Sequence, residues 1–142
     1  MSDIETERQI RYWLLDMDGV LIHEEDPIPG APEFINRLKE LEIPFLVLTN
    51  SSIYSRRDLS ARLHRSGLEV PEKSIWTSAL ATATFLQDQR PNGSAFVVGE
   101  PGLATAMHEA GYTINESDPD YVVLGETRTY SFERVTRAIR LV

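Results

Sequence analysis

Two carboxylates separated by a single residue stand in Asp16-Met17-Asp18-Gly19-Val20. Gly19 lets the backbone turn sharply, so both side chains can face one cavity. An ionised carboxylate can attack phosphorus, but it repels a phosphate dianion, and a cation has to sit between them. Mg²⁺ meets that need, because it is a hard ion that takes oxygen ligands and binds through one or two carboxylates plus substrate phosphate. Asp16 is then the expected nucleophile, and Asp16 with Asp18 the expected metal ligands. Asp18 is also the expected acid/base, giving a proton to the leaving alkoxide and later taking one from water. Further along, the Thr49 hydroxyl and the amides of Asn50 and Ser51 are the expected phosphate-binding groups.

These residues need elements that bring them together. Arg11 to Asp16 is a short, nearly all-apolar run that stops at the acidic turn, as a buried parallel strand does at its carboxyl end. After the proline-rich stretch 27–32, Phe34, Ile35, Leu38 and Leu41 follow helical spacing. Phe45 to Leu48 form a second apolar run that ends in Thr49, Asn50, Ser51 and Ser52. Ser55 and Asp58 have capping-box spacing for a helix that carries Leu59 and Leu63 and ends near Gly67. A further helix is expected over Ser78 to Gln89. Pro91-Asn92-Gly93 is a turn signal, and after it come a strand at Ala95 to Val98, a helix near Leu103 to Ala110, a strand at Tyr121 to Leu124 and a helix at Phe132 to Leu141. Alternation of this kind predicts an α/β fold with parallel pairing and a ligand at the carboxyl ends of the strands.

Composition narrows the partner. With 42% hydrophobic and 25% charged residues the chain has the balance of a globular protein with a real core. Its net charge of −8 argues against broad attraction to nucleic acid polymers or anionic membranes and favours a small-molecule partner. No apolar run approaches the length of a membrane span, and residues 1–11 lack a signal peptide's apolar stretch, so a cytoplasmic location is the expectation. The absence of cysteine rules out disulfides and thiolate zinc sites.

The first motif, Asp16-Met17-Asp18-Gly19-Val20-Leu21, and the second, Leu48-Thr49-Asn50-Ser51-Ser52, resemble those of the haloacid dehalogenase superfamily, in the branch of nitrophenyl-, phosphoglycolate-, pyridoxal- and nucleotide phosphatases. Pro27-Ile28-Pro29-Gly30-Ala31 and Ser55-Arg56-Arg57 look like that branch too. Val97 to Leu103 and Tyr121 to Gly125 are similar to the start of its inserted α/β cap. The resemblance runs from residue 11 over nearly the whole chain. It implies the N-terminal part of a Rossmann-like core over residues 1–90 and the first part of a cap over residues 91–142. It further implies Mg-dependent hydrolysis of a small phosphorylated metabolite through an aspartyl-phosphate, with the cap choosing the substrate. Exposed strand edges in such a piece would favour aggregation or dimerisation, a route to a homo-oligomer.

One departure stands out. The family also uses a lysine that neutralises nucleophile and phosphate, and a later acidic pair that completes the magnesium site, both after the cap. The lysines here, Lys39 and Lys73, follow no cap, and Ser51 stands where the branch often has asparagine. A competing reading is therefore a phosphate-binding or regulatory module that keeps the fold without turnover. Carbon–halogen hydrolysis fits less well, because Asp18 is the acid that a phosphate ester's leaving group needs. An EF-hand is excluded, since Val20 and Leu21 stand where that loop needs an oxygen ligand and a glycine. Thr49 and Asn50 have a plain alternative as turn caps, and His23, His64 and His108 as bystanders. Gly99-Glu100-Pro101-Gly102 is expected to be an ordinary turn, and Glu116, Asp118 and Asp120 a solvated loop.

Overall fold

The computed structural model describes residues 10–142, so most of the polar N-terminal stretch lies outside the described residues. Strands β1 (Trp13–Asp16), β4 (Phe45–Thr49) and β5 (Ile75–Thr77) form one sheet in the order β1-β4-β5, all parallel. The register sets Asp16 opposite Leu48 and Thr49 opposite Thr77, so three strand ends lie side by side at one edge. A second parallel sheet has the order β7 (Thr113–Ile114), β6 (Ser94–Val98), β8 (Tyr121–Leu124). The expected α/β architecture with parallel pairing is what the chain adopts.

Helix α1 (Ala31–Glu40) starts after Gly30, whose φ of +89° a side chain would oppose, and carries Pro32 in its first turn. Its Ile35 and Leu38 are buried against the first sheet, together with Leu59 and Leu63 of α2 (Arg56–Arg65) and Leu15, Val47 and Ile75 from the strands. Full burial of one such leucine is worth about 1.5–3 kcal/mol, so this cluster is what holds the strand ends in place. The capping box expected at α2 is present: Ser55 Oγ accepts from Asp58 N, and the Asp58 carboxylate accepts from Ser55 N.

Helix α3 (Ser78–Gln89) follows β5 directly, yet its Ala79, Ala83 and Leu86 pack into a second cluster with Val97 and Val123 of the second sheet and Leu103 and Met107 of α4 (Pro101–Glu109). Helix α5 (Phe132–Leu141) covers the other face of that sheet through Ala138, next to Phe96 and Val98.

Sequence patterning misses five short elements. These are the antiparallel hairpin of β2 (Ile22–His23) and β3 (Asp26–Pro27), strand β5, a 3₁₀ turn at Glu72–Ser74, and β7. Each is two or three residues long, too short for any periodicity to register. The first strand also begins at Trp13, two residues later than its apolar run. The acidic loop is exposed as expected, but the Glu116 and Asp120 carboxylates are engaged. Glu116 pairs with Arg134 and Arg137 of α5, and Asp120 accepts from Ser94 N at 2.7 Å and pairs with Arg90.

Candidate active site

The end of β1 is extended by Met17, whose amide donates to Leu48 O at 3.0 Å and to Asp16 Oδ1 at 2.9 Å. The chain then folds back on itself. Leu21 N and Ile22 N both donate to Met17 O, and Gly19 N donates to Ile22 O at 2.7 Å. Gly19 sits at φ +80° with no atom near the position of a Cβ, so backbone conformation, not crowding, makes glycine the suitable residue here. Met17 points into the core while Asp16 and Asp18 stay exposed on either side of it, the alternation expected of a strand continuing past its last ladder bond.

The two carboxylates take up different surroundings. Asp16 lines a cleft of about 270 Å³ with Leu48, Thr49, Asn50, Trp76, Thr77 and Ser78. Asp18 approaches Thr49, whose hydroxyl donates to Asp18 Oδ2 at 3.4 Å. Thr49 is buried at the β4 end and its oxygen also accepts from Ser51 N at 3.2 Å. The plain role as a turn cap and a role beside the carboxylates therefore coexist in one hydroxyl. Ser78 Oγ donates to Asn50 O at 2.7 Å, and Ser51 Oγ accepts from Ile53 N, so the loop after β4 is braced internally and from α3. Among the expected phosphate-binding residues, Thr49 and Asn50 line the Asp16 cleft, while the Ser51 amide is already engaged on Thr49.

Sites outside the cleft resolve into structural roles. Gly102 N donates to Ile53 O at 3.0 Å, and a Cβ on Gly102 would come within 2.5 Å of the Tyr54 backbone. The Gly99–Gly102 turn thus lets α4 dock on the loop after β4. His64 pairs with Glu69 on the α2 surface, His108 is exposed on α4, and His23 is exposed on the hairpin. Ser52 accepts from Glu126 N at 2.9 Å, a second contact between that loop and the second sheet. Sequence reasoning missed Arg62, whose guanidinium lies 3.9 Å from Asp18 Oδ1; a cation on α2 gives no local signal of where it reaches.

Residues 13–113 match the family model described as haloacid dehalogenase-like hydrolase. The chain belongs to the haloacid dehalogenase-like hydrolases. Dihydroxyacetone phosphatase of Corynebacterium glutamicum is 57% identical over 130 residues, covering 92% of this chain and 47% of that protein. The ribonucleotide monophosphatase NagD of Escherichia coli K12 is 38% identical over 133 residues, covering 94% of this chain and 53% of NagD. Among solved structures, NagD superposes with a TM-score of 0.85 over 92% of this chain and 52% of its own, at 38% identity. The 4-nitrophenylphosphatase of Thermotoga maritima does so with a TM-score of 0.86 over 93% and 51%, at 33% identity. The branch expected from the two motifs is borne out. The chain spans about half the length of the curated relatives it matches.

In this haloacid dehalogenase-like chain the donor set suits a hard cation in part. Asp16 and Asp18 offer two carboxylates on one turn, one Asp16 oxygen being occupied by the Met17 amide. Among the described residues no third acidic or histidine side chain joins them. The cleft lining contains no lysine: Lys39 borders a separate hollow beside α2, and Lys73 lies on the 3₁₀ turn. No helix among the described residues is long and apolar enough to cross a membrane.

Proposed function

We propose that this chain carries the nucleophile half of a Mg²⁺-dependent phosphomonoester hydrolase. The observation that carries the reading is the convergence of Asp16, Asp18 and Thr49 at adjacent ends of two parallel strands, with Thr49 Oγ1 3.4 Å from Asp18. An Asp16 carboxylate oxygen attacks phosphorus and the bond from phosphorus to the ester oxygen breaks. Asp18 gives its proton to the departing alkoxide. Water then attacks the phosphorus of the aspartyl-phosphate, Asp18 takes its proton, and the bond to Asp16 breaks to release inorganic phosphate. The Thr49 hydroxyl and the Asn50 and Ser51 segment present donors to the phosphate oxygens. Asp16, joined by Asp18 when that side chain is ionised, would hold Mg²⁺, which would supply charge neutralisation between carboxylate and phosphate.

The domain division goes with this reading: residues 1–90 as the N-terminal part of the catalytic core and residues 91–142 as the first part of a cap that selects the substrate, except that α3, inside the first span, packs with the second sheet and goes with the cap side. Relatives named dihydroxyacetone phosphatase, ribonucleotide monophosphatase and acid sugar phosphatase favour a small phosphorylated metabolite as substrate, and the net charge of −8 goes with a cytoplasmic setting and no polymeric nucleic acid or membrane partner. Self-association into a homo-oligomer fits the uncovered face of the first sheet, where Leu14 is 69% exposed.

A second reading, a phosphate-binding module without turnover, is favoured by the cleft's lack of a lysine. Phosphate release from p-nitrophenyl phosphate separates the two, measured with and without Mg²⁺ for this chain, for a version of about the relatives' length, and for Asp16→Asn in each. Turnover that requires Mg²⁺ and disappears in Asp16→Asn supports the hydrolase. A folded long version that is inactive under all these conditions would falsify it in favour of the binding module.

A further inference from the structure

Arg62 on α2 reaches the loop that carries Asp18 and the hairpin that follows it. Its Nη1 lies 3.9 Å from Asp18 Oδ1, its Nη2 donates to Glu24 O, and its Nε lies 3.2 Å from Glu25 Oε1. The same helix gives the hairpin a second anchor, Ser66 Oγ donating to Glu25 O at 2.7 Å. Glu24, at the hairpin's tip, has φ +55°, a conformation that a glutamate adopts only when its surroundings enforce it. On the other side, Thr49 Oγ1 holds Asp18 Oδ2. The two oxygens of one carboxylate thus face two partners on two different elements.

An isolated surface ion pair contributes little, because solvent screens it and two long side chains must be ordered to form it. Arg62 differs in that its Nη2 is already held by a hydrogen bond to Glu24 O, while Nε, buried and 3.2 Å from Glu25 Oε1, makes no hydrogen bond and gains attraction alone from that carboxylate. Its side chain is 21% exposed against 59% for Asp18, so the cation is the more rigid partner. We propose that Arg62 is a positioning residue that fixes the β2–β3 hairpin and, through it and by direct attraction, the orientation of the Asp18 carboxylate. This rests on the reading of Asp18 as the acid that protonates the leaving group.

Arg62→Met keeps the aliphatic stem and removes the fork, which makes it the variant to test. Two measurements decide. In hydrogen–deuterium exchange on this chain, residues 18–26 are expected to exchange faster in Arg62→Met while α1 and β4 stay protected. Unchanged exchange at 18–26, or an equal rise throughout, overturns the hold on the hairpin. In a version of about the relatives' length, kcat/KM is compared for p-nitrophenyl phosphate, whose leaving group departs without a proton, and glycerol 3-phosphate, whose alkoxide needs one. The loss in Arg62→Met is expected to be at least about tenfold greater for glycerol 3-phosphate, since proton donation is the function affected. An equal loss for both esters overturns the link to Asp18 and leaves Arg62 a structural residue. Asp16→Asn in the same assay checks the underlying reading: if it still turns over both esters, the aspartyl-phosphate route fails, and the exchange result alone decides whether Arg62 holds the hairpin.

Discussion

Thr49 Oγ1 lies 3.4 Å from Asp18 Oδ2 although the two residues are 31 positions apart in the chain. The contact exists because β1 and β4 are parallel neighbours in register, which puts Asp16 beside Leu48 and brings the two loops that follow them to the same edge. Thr49→Val keeps the shape of this buried side chain and deletes the hydroxyl, leaving Asp18 Oδ2 and Ser51 N without their partner. Turnover should fall about tenfold, the equivalent of one hydrogen bond of average strength, and the melting temperature should drop slightly. Steady-state kinetics with p-nitrophenyl phosphate and with glycerol 3-phosphate alongside thermal unfolding checks both; unchanged kcat/KM for both esters would place Thr49 outside the chemistry.

Gly102→Ala should destabilise the chain by about 1–3 kcal/mol, the range for forcing a methyl into a closed contact. The Cβ would meet the Tyr54 backbone at 2.5 Å, and backbone atoms cannot swing aside as a flexible side chain can. Because that loop continues from Thr49, the variant is also expected to weaken phosphate binding. Urea unfolding measures the first effect, and isothermal titration with inorganic phosphate the second.

Ser55→Ala removes the acceptor for Asp58 N at the start of α2 and should cost about 1 kcal/mol. Asp58→Ala should cost a similar amount through the reciprocal bond to Ser55 N. The double variant is expected to lose less than the sum, since both changes break one reciprocal pair. Denaturant unfolding of the three variants provides the comparison.

Asp120 is held below its ordinary pKa of 3.8, first by the Ser94 amide, then by the Ser94 hydroxyl, with Arg90 adding to them. A carboxylate depressed in the folded state stabilises the fold above its unfolded pKa, and that contribution is lost as pH falls through the folded value. The melting temperature of Asp120→Asn should therefore lie below that of the parent at neutral pH, with the gap closing as pH drops below 3.8. Thermal unfolding across an acid pH series tests the sign. A gap that widens toward acid would contradict it.

Much of this molecule is legible along the chain. Apolar runs that stop at Asp16 and Thr49 mark buried strands ending at polar turns, and helical spacing marks α1, α2 and α5, because burial imposes its own periodicity on whichever residues face the core. Both motifs, and with them the family, are local patterns of residue type. Tertiary structure decided what depends on neighbours distant in sequence. It fixed which strands pair and in what register, and it assigned α3 to the second cluster although β5 precedes it directly. It spent the Ser51 amide on Thr49, set Glu116 and Asp120 to work as anchors, and brought Arg62 to Asp18. A side chain's residue type shows which bonds it can make; the partner it meets is set by the packing of whole elements, and no stretch of neighbouring residues contains that information.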